Sequence, residues 1–512
     1  LSYKPNMPEI IESQFKNNIK KLSSHKQEFQ TGQMKVPAVL HASEDLLPND
    51  ATFEELEKIG SDERLFRHIA GMSDIHSKKG RKNPTGSVIV TKDTFLPQVN
   101  DTAPNCGMRF IKTGLNEKNT SPEQIDTLFN NLVSTVPTKA YVGTAVPYET
   151  SLDICRQGIE PLLQHLKTRT ADEIENTFSR GNLFDGEEVT RRDILDVIPK
   201  LFIRTGAFRL GILGAAGNHF LDLMKITEIE DEARAKKFGI SKGQYIFLLH
   251  TGSGLLGQYA SYMYTPKKKE HLSQQMMLKL GTTFFDSQMK KVYEKIAHKV
   301  SLYKNKEEFI GYEDDTLEGR MFYRAHRAAA NFGFANRSMI THLIDQTLEE
   351  TFGSQIPLSL LYDTTHISIT KENHFGEDVI VHRNGSVRAY GPGKMKDHKI
   401  FSQTGEPVFI PSSMSTPAYI AVGTDENEST FFSAPHGTGR RKNPEVNTPE
   451  NKSQLFGKMS DRNVKLYNAK SKGVLQQDSA YYKDVEEVID GLVENKCINV
   501  VAKMQPVAVL MY

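Results

Sequence analysis

Ser433-Ala434-Pro435-His436-Gly437-Thr438-Gly439-Arg440 sets one histidine among glycines, and Arg441 and Lys442 follow at once. Neutral imidazole is a good nucleophile near pH 7 and needs little activation. Gly437 and Gly439 let backbone N–H groups approach a phosphate, and the cations after them favour one. The same stretch also reads as a loop histidine beside a solvated basic cluster. The rest of the chain has to choose between the two.

Around this stretch the final third reads as β-rich. Short strand-like runs lie at 379–383, 386–390, 407–411 and 418–423, then a helix over Val485–Glu494 and a last strand over Val500–Leu510. Upstream, a helical region near 270–350 carries Met, Phe and Leu at core spacing, and strand-like runs occur at Tyr245–Leu249 and Leu358–Leu361. Residues 120–210 read as helices, the first announced by Ser121 and Pro122. Thr85–Lys92 and Met108–Thr113 alternate like strands. Residues 1 to about 65 are polar, with helical stretches at Ile10–Lys21 and Thr52–Ile59, and read as a peripheral N-terminal segment. Strands and helices in mixed order predict an α+β fold rather than a doubly wound parallel sheet.

Composition narrows the function classes. With 512 residues, 38% of them hydrophobic, the chain can bury a large core. A net charge of +1, from 64 basic and 63 acidic residues, does not mark a nucleic-acid binder globally, so any such site is a local patch. Arg440, Arg441, Lys442 and the run Lys267-Lys268-Lys269 are the patches at hand, and a solvated loop is the alternative for the lysine run. Three cysteines without a CxxC fit a reduced, cytoplasmic setting. No apolar run reaches membrane-spanning length.

No Walker loop, HExxH, EF-hand or helix-opening GxGxxG is present. Four residues that can ligate a metal instead sit in Gly-, Asn- or Thr-rich surrounds: Cys106 in NCGMR, His219 in GNHF, His250 in HTGS and His366 in YDTTH. His250 and His366 follow apolar runs, where strand ends point into a shared cleft. One thiolate with several imidazoles suits a borderline divalent ion such as Mn, Zn or Fe. Each residue taken alone also reads as a buried structural side chain.

With His436, these blocks resemble the RtcB-type RNA-splicing ligases. The resemblance runs from about Met72 to the C-terminus and is carried by GMSDIH at 71–76, NCGMRFIKTGL at 105–115, GNHFLDL at 217–223 and HTGSGLLG at 250–257. AAANFGFANR at 328–337, YDTTHISITKE at 362–372, VHRNGSVRA at 381–389, GEPVFIPSSM at 405–414, APHGTGR at 434–440 and YYKDVEEVI at 481–489 continue it. The resemblance implies a catalytic unit over 66–512, with a mainly helical insertion near 270–350 and mixed or antiparallel sheets around a metal and nucleotide cleft. It also implies a GTP- and Mn-dependent RNA ligase that joins 3′-phosphate or 2′,3′-cyclic phosphate ends to 5′-hydroxyl ends. His436 is then the nucleophile that carries GMP. Two manganese ions are held by Cys106, His219, His250 and His366. Asn218, Ser413, Met414, Gly437, Thr438 and Gly439 contact the nucleotide, as does His366 from the metal side. Tyr482 stacks on guanine, and Asp222 reads its edge where the family has a glutamate. RNA ends, possibly of tRNA, and an archease-like activator are the implied partners.

The departures from the family pattern are specific. Its aspartate three residues before the bridging cysteine is Ala103 here, and Asp101 is the nearest carboxylate that can replace it as a metal ligand. Its SRGLG block reads Ser253-Gly254-Leu255-Leu256-Gly257, and its terminal lysine is Met511. These departures keep two other readings open: a metal-dependent nucleotidyl transferase or phosphoesterase with altered specificity, and a catalytically silent RNA-end-binding protein.

Overall fold

Fifteen strands, rich in β-branched and aromatic residues, pair into two large sheets. The computed structural model describes residues 13–78, 82–100, 103–138, 146–168, 170–214, 218–266, 272–283, 285, 287–441, 449–467 and 474–511. In chain order the strands begin with β1 (Ile19–Ser23), β2 (Lys26–Phe29), β3 (Ala38–Leu40), β4 (Ile69–His76), β5 (Thr85–Thr91), β6 (Gly107–Asn116), β7 (Phe220–Ile229) and β8 (Gln244–Thr251). They continue with β9 (Leu358–Thr365), β10 (Ile367–His374), β11 (Glu377–Asn384), β12 (Pro407–Ile410), β13 (Ala418–Gly423), β14 (Lys465–Leu466) and β15 (Ile498–Met511).

The first sheet has the order β1-β2-β3-β4-β5-β11-β10. The second has the order β9-β6-β8-β7-β15-β13-β12, with β14 alongside β15. Pairing is antiparallel except at β3–β4 and β14–β15. The fold is therefore α+β with mixed, mainly antiparallel sheets. One residue separates β9 from β10, so the chain steps from the second sheet to the first at His366.

Helices cover the second sheet. The helix Pro122–Thr135 opens with the capping box expected from Ser121: Ser121 Oγ accepts from the Gln124 amide at 3.3 Å, and Gln124 Oε1 accepts from the Ser121 amide at 2.8 Å. The 36-residue helix Leu317–Phe352 is buried on nearly every side, because helices Pro122–Thr135, Tyr148–Gln157 and Gly254–Tyr264 all pack on it. Its Ala328-Ala329-Ala330 run lets those neighbours approach closely. Among the described residues, no helix is long and apolar enough to cross a membrane.

Most sequence-based elements recur, with one correction. Ile10–Lys21 is not a helix where it is described: only Lys16–Asn18 forms a 3₁₀ turn, and Ile19 begins β1. β1–β3 lie at the first sheet's edge, yet the segment buries Phe29, Leu40, Phe53 and Leu56. Its polar composition hid this, since a strand or helix with one buried face needs few apolar residues. Asp101, Lys442 and the Lys267–Lys269 run lie outside the described residues.

Candidate active site at the junction of the two sheets

Each chemically distinctive side chain stands at an end of a strand. Cys106 immediately precedes β6, His219 precedes β7, His250 is the penultimate residue of β8, and His366 is the corner between β9 and β10. β6, β8 and β7 are neighbours, with Met108 opposite His250 and His250 opposite Phe220. Register therefore carries the donors to one end of the second sheet, where the corner residue meets them.

The four donors converge. Cys106 Sγ is 3.4 Å from His219 Nε2 and 3.4 Å from His250 Nε2. His250 Nε2 is 3.3 Å from His366 Nε2. Ligand atoms of Cys106, His250 and His366 all lie within 4.8 Å of one another. His219 reaches the thiol from outside that triad, so Cys106 and His250 stand between two outer imidazoles.

Backbone carbonyls orient two of the rings. His219 Nδ1 donates to Leu213 O at 2.9 Å, and His250 Nδ1 donates to Asn218 O at 2.9 Å. Each bond fixes the proton on Nδ1 and turns the Nε2 lone pair toward the cluster. Burial lowers His219 to about 4 and holds His250 and His366 well below the ordinary imidazole value, so all three are neutral at pH 7. Nδ1 of His366 is buried without a partner among the described residues. A soft sulfur with neutral nitrogens, desolvated and pre-aimed, fits a borderline divalent cation.

His436 lies beside this cluster, its ring centroid 4.5 Å from that of His366. It follows the short strand Ser433–Pro435, which pairs with Ser386–Arg388. His436 Nδ1 is 2.8 Å from Asp74 Oδ2 and 2.7 Å from Gly385 O. Two acceptors on Nδ1 place the proton there and leave Nε2 with its lone pair. The loop needs Gly439: its φ is 72°, and a Cβ there would stand 2.5 Å from Asp74 O. Gly385, at φ 70°, would likewise crowd the His436 ring with a Cβ at 3.2 Å.

A cavity of about 430 Å³ opens at His436, a size suited to a small ligand. Asn218, Ser413, Met414, Gly437, Thr438, Gly439 and Tyr482 all line it, together with His250, Asp222 and Met511. Cys106, His219 and His366 lie outside its wall, behind His250. Asp222 is 8% exposed, its Oδ1 has no partner among the described residues, and burial raises its pKa well above the usual carboxylate range. Arg440 lies over the Tyr482 ring at 5.4 Å, and the Tyr482 hydroxyl donates to Gln477. Met511 is packed with Met414, Val474 and Val509.

Asp74 was not assigned a role by sequence reasoning, although its block GMSDIH carried part of the resemblance. The sequence marks it only as a lone acid in a strand, between Ser73 and Ile75. Behind it, Lys483 Nζ donates to Leu46 O at 2.7 Å and Ser73 O at 2.6 Å. Burial pushes this lysine down to about 8 against the pull of Asp74.

Fold and site together define an α+β protein whose two sheets meet at a buried thiol–imidazole centre, with a ring-held histidine and a ligand-sized cavity beside it. A family model described as tRNA-splicing ligase RtcB matches residues 55–511. A curated relative of that name from Thermococcus kodakarensis is 27% identical over 505 residues, spanning 93% of this chain and 95% of the relative. Relatives of the same name from Aeropyrum pernix and Methanococcus maripaludis are each 27% identical, over 499 and 503 residues, with the same coverage of 93% and 95%. The chain belongs to the RtcB family.

Proposed function

We propose that this protein joins RNA 3′-phosphate or 2′,3′-cyclic phosphate ends to 5′-hydroxyl ends, using GTP and manganese, through a covalent GMP on His436. Membership of the RtcB family makes the chain an RNA ligase enzyme. The observation that carries it is His436, with Nδ1 bonded to Asp74 and Gly385 and its ring against the donor cluster at the wall of the cavity.

The Nε2 lone pair of His436 attacks the α-phosphorus of GTP. A P–N bond forms, the bond to the bridging oxygen breaks, and pyrophosphate leaves with that electron pair. The proton on Nδ1 stays where it is, and Asp74 balances the positive charge that the ring acquires. An oxygen of the RNA 3′-phosphate then attacks the same phosphorus and displaces the imidazole. The 5′-hydroxyl attacks the activated 3′-phosphate, GMP departs, and the hydroxyl proton passes to solvent. Cys106, His219, His250 and His366 would hold the manganese, and Asp101 is the carboxylate that the sequence offers as a further ligand. Bound there, the metal supplies charge neutralisation for the phosphates.

Asp222 is the group that reads guanine: once its proton is released to solvent, its carboxylate accepts from two ring donors that adenine lacks in that arrangement, and those donors offset the burial that raises its pKa in the empty pocket. Asn218, Ser413, Met414, Gly437, Thr438 and Gly439 surround the rest of the nucleotide, with His366 at the donor cluster outside the cavity wall, and Tyr482 offers a ring for stacking. Residues 66–512 act as one catalytic unit, 1–65 as an N-terminal segment and the helices near 270–350 as an insertion. Three buried cysteines, none in a disulfide, suit a cytoplasmic setting.

Incubation with α-³²P-GTP and Mn tests the reading. Acid-labile label on the wild type, and none on His436→Ala, is the expected result. Absence of label on wild type would favour the silent RNA-binding reading. A specific observation keeps the altered-nucleotide reading in view: Met511 places an apolar group in the cavity wall where the family has a lysine.

A further inference from the structure

We propose that Arg337 is a positioning residue that sets the separation of the Cys106 and His250 turns, and thereby the metal affinity of the cluster. The proposal rests on the reading that those donors bind a metal.

Arg337 lies in the middle of the long helix Leu317–Phe352 and is 0% exposed. Four hydrogen bonds and an ion-pair contact hold its guanidinium. Nη1 donates to Asn105 O at 3.0 Å and to Thr251 O at 2.9 Å. Nη2 donates to Asn105 Oδ1 at 2.8 Å and contacts Asp363 Oδ1 at 2.7 Å, and Nε donates to Asp363 Oδ1 at 2.8 Å. Asn105 and Thr251 are the chain neighbours of Cys106 and His250. One planar guanidinium therefore ties together the two residues that stand between the outer imidazoles. It is anchored in turn to Asp363, three residues before His366.

The Asn105 turn needs holding. Its φ is 55°, a left-handed conformation that a non-glycine residue adopts at a cost. Its amide Nδ2 donates to Ala330 O on the same helix at 2.6 Å, one helical face from Arg337. The helix thus presents two grips on the residue before the thiol. A lysine in place of Arg337 carries the charge to Asp363 but is a single point donor, and it cannot bridge both turns.

Arg109 provides the control. It sits in the same buried charge network, with Nη1 donating to Asp363 Oδ2 at 3.0 Å and Nη2 bonded to Glu173, yet none of its hydrogen bonds reaches either turn. A merely structural role predicts that both arginines behave alike.

The test compares wild type with Arg337→Lys, Arg109→Lys and Asn105→Gly in the full chain, using two readouts. The first is Co(II) affinity, followed by thiolate-to-cobalt charge-transfer absorption. The second is the rate at which iodoacetamide labels Cys106 in metal-free protein. Cys155 and Cys497 stay silent there, because burial pushes both thiols up to about 12. Arg337→Lys is expected to weaken Co(II) binding about tenfold or more, the size of effect that groups orienting metal ligands have, and to speed Cys106 labelling. Arg109→Lys is expected to stay within about twofold on affinity, even if it lowers the melting temperature as much. Asn105→Gly, comfortable at φ 55°, loses one bond to Arg337 and should move both readouts the same way by less. Equal effects of the two arginine variants, or none from Arg337→Lys, would overturn the positioning role. Failure of wild type to bind Co(II) at all would instead overturn the metal reading and the proposal with it.

Discussion

His436 Nδ1 lies 2.8 Å from Asp74 Oδ2, although 362 residues separate them in the chain. Asp74 belongs to β4 of the first sheet, while His436 follows a strand of a separate two-stranded ladder. The contact makes one ring nitrogen a donor and leaves the other its lone pair, and in the proposed chemistry it offers a counter-charge when the ring becomes cationic.

Asp74→Asn tests that contact. The amide is isosteric, and Gly385 O still accepts from Nδ1, so the tautomer survives while the counter-charge is lost. Covalent labelling by GTP is expected to slow on the order of 10²-fold, the low end for a group that holds a catalytic proton, with the melting temperature little changed. An unchanged single-turnover rate would remove Asp74 from the chemistry.

Gly439→Ala separates loop geometry from side-chain chemistry. The new methyl meets the Asp74 backbone and is forced to positive φ, at a cost on the order of 1–3 kcal/mol of stability. His436 is untouched in sequence but loses its place, so labelling should fall below detection in protein that is still folded by circular dichroism. Normal labelling would show that the loop adapts without moving the histidine.

The base pocket is expected to discriminate weakly. A methionine at 511 neither donates to a base's carbonyl oxygen nor carries charge, which on the proposed reading leaves Asp222 to distinguish the purines. A charge-assisted hydrogen bond contributes about 1.5–3 kcal/mol, roughly ten- to a hundredfold in selectivity. GTP should still win over ATP in competitive labelling, and Met511→Lys should widen the margin by about that factor. ATP matching GTP in the wild type would mean that Asp222 does not read the base.

Buried neutral histidines outside the site predict acid sensitivity. Burial lowers His41 and His326 from 6.5 to about 3 and His382 to about 4. Between those values and 6.5 the unfolded chain binds protons that the folded chain refuses. Stability is therefore fully present above pH 6.5 and is lost progressively as pH falls toward 4. The urea midpoint should drop from pH 7 to pH 5. His326→Phe, at a ring whose Nε2 has no protein partner, should flatten the slope by about one proton. A midpoint constant over that range would contradict the buried, neutral assignment.

Short-range physics made much of this protein readable from its residues. The Ser121–Gln124 capping box, the Val485–Glu494 helix, the alternating strands at 85–91 and 418–423 and the chemical identity of Cys106, His219, His250, His366 and His436 all follow from neighbours a few residues apart. So does the presence of a glycine at 439, though not its reason. What the tertiary structure decided is who meets whom. Register between β6, β8 and β7 gathers the donors, and the single-residue corner at His366 brings the first sheet to them. Asp74 beneath His436 and Arg337 across two turns left no periodic trace, because a contact spanning hundreds of residues is set by packing and not by local pattern. The same holds for β1–β3, whose polar faces concealed the buried ones: the side a strand hides is chosen by the sheet it joins.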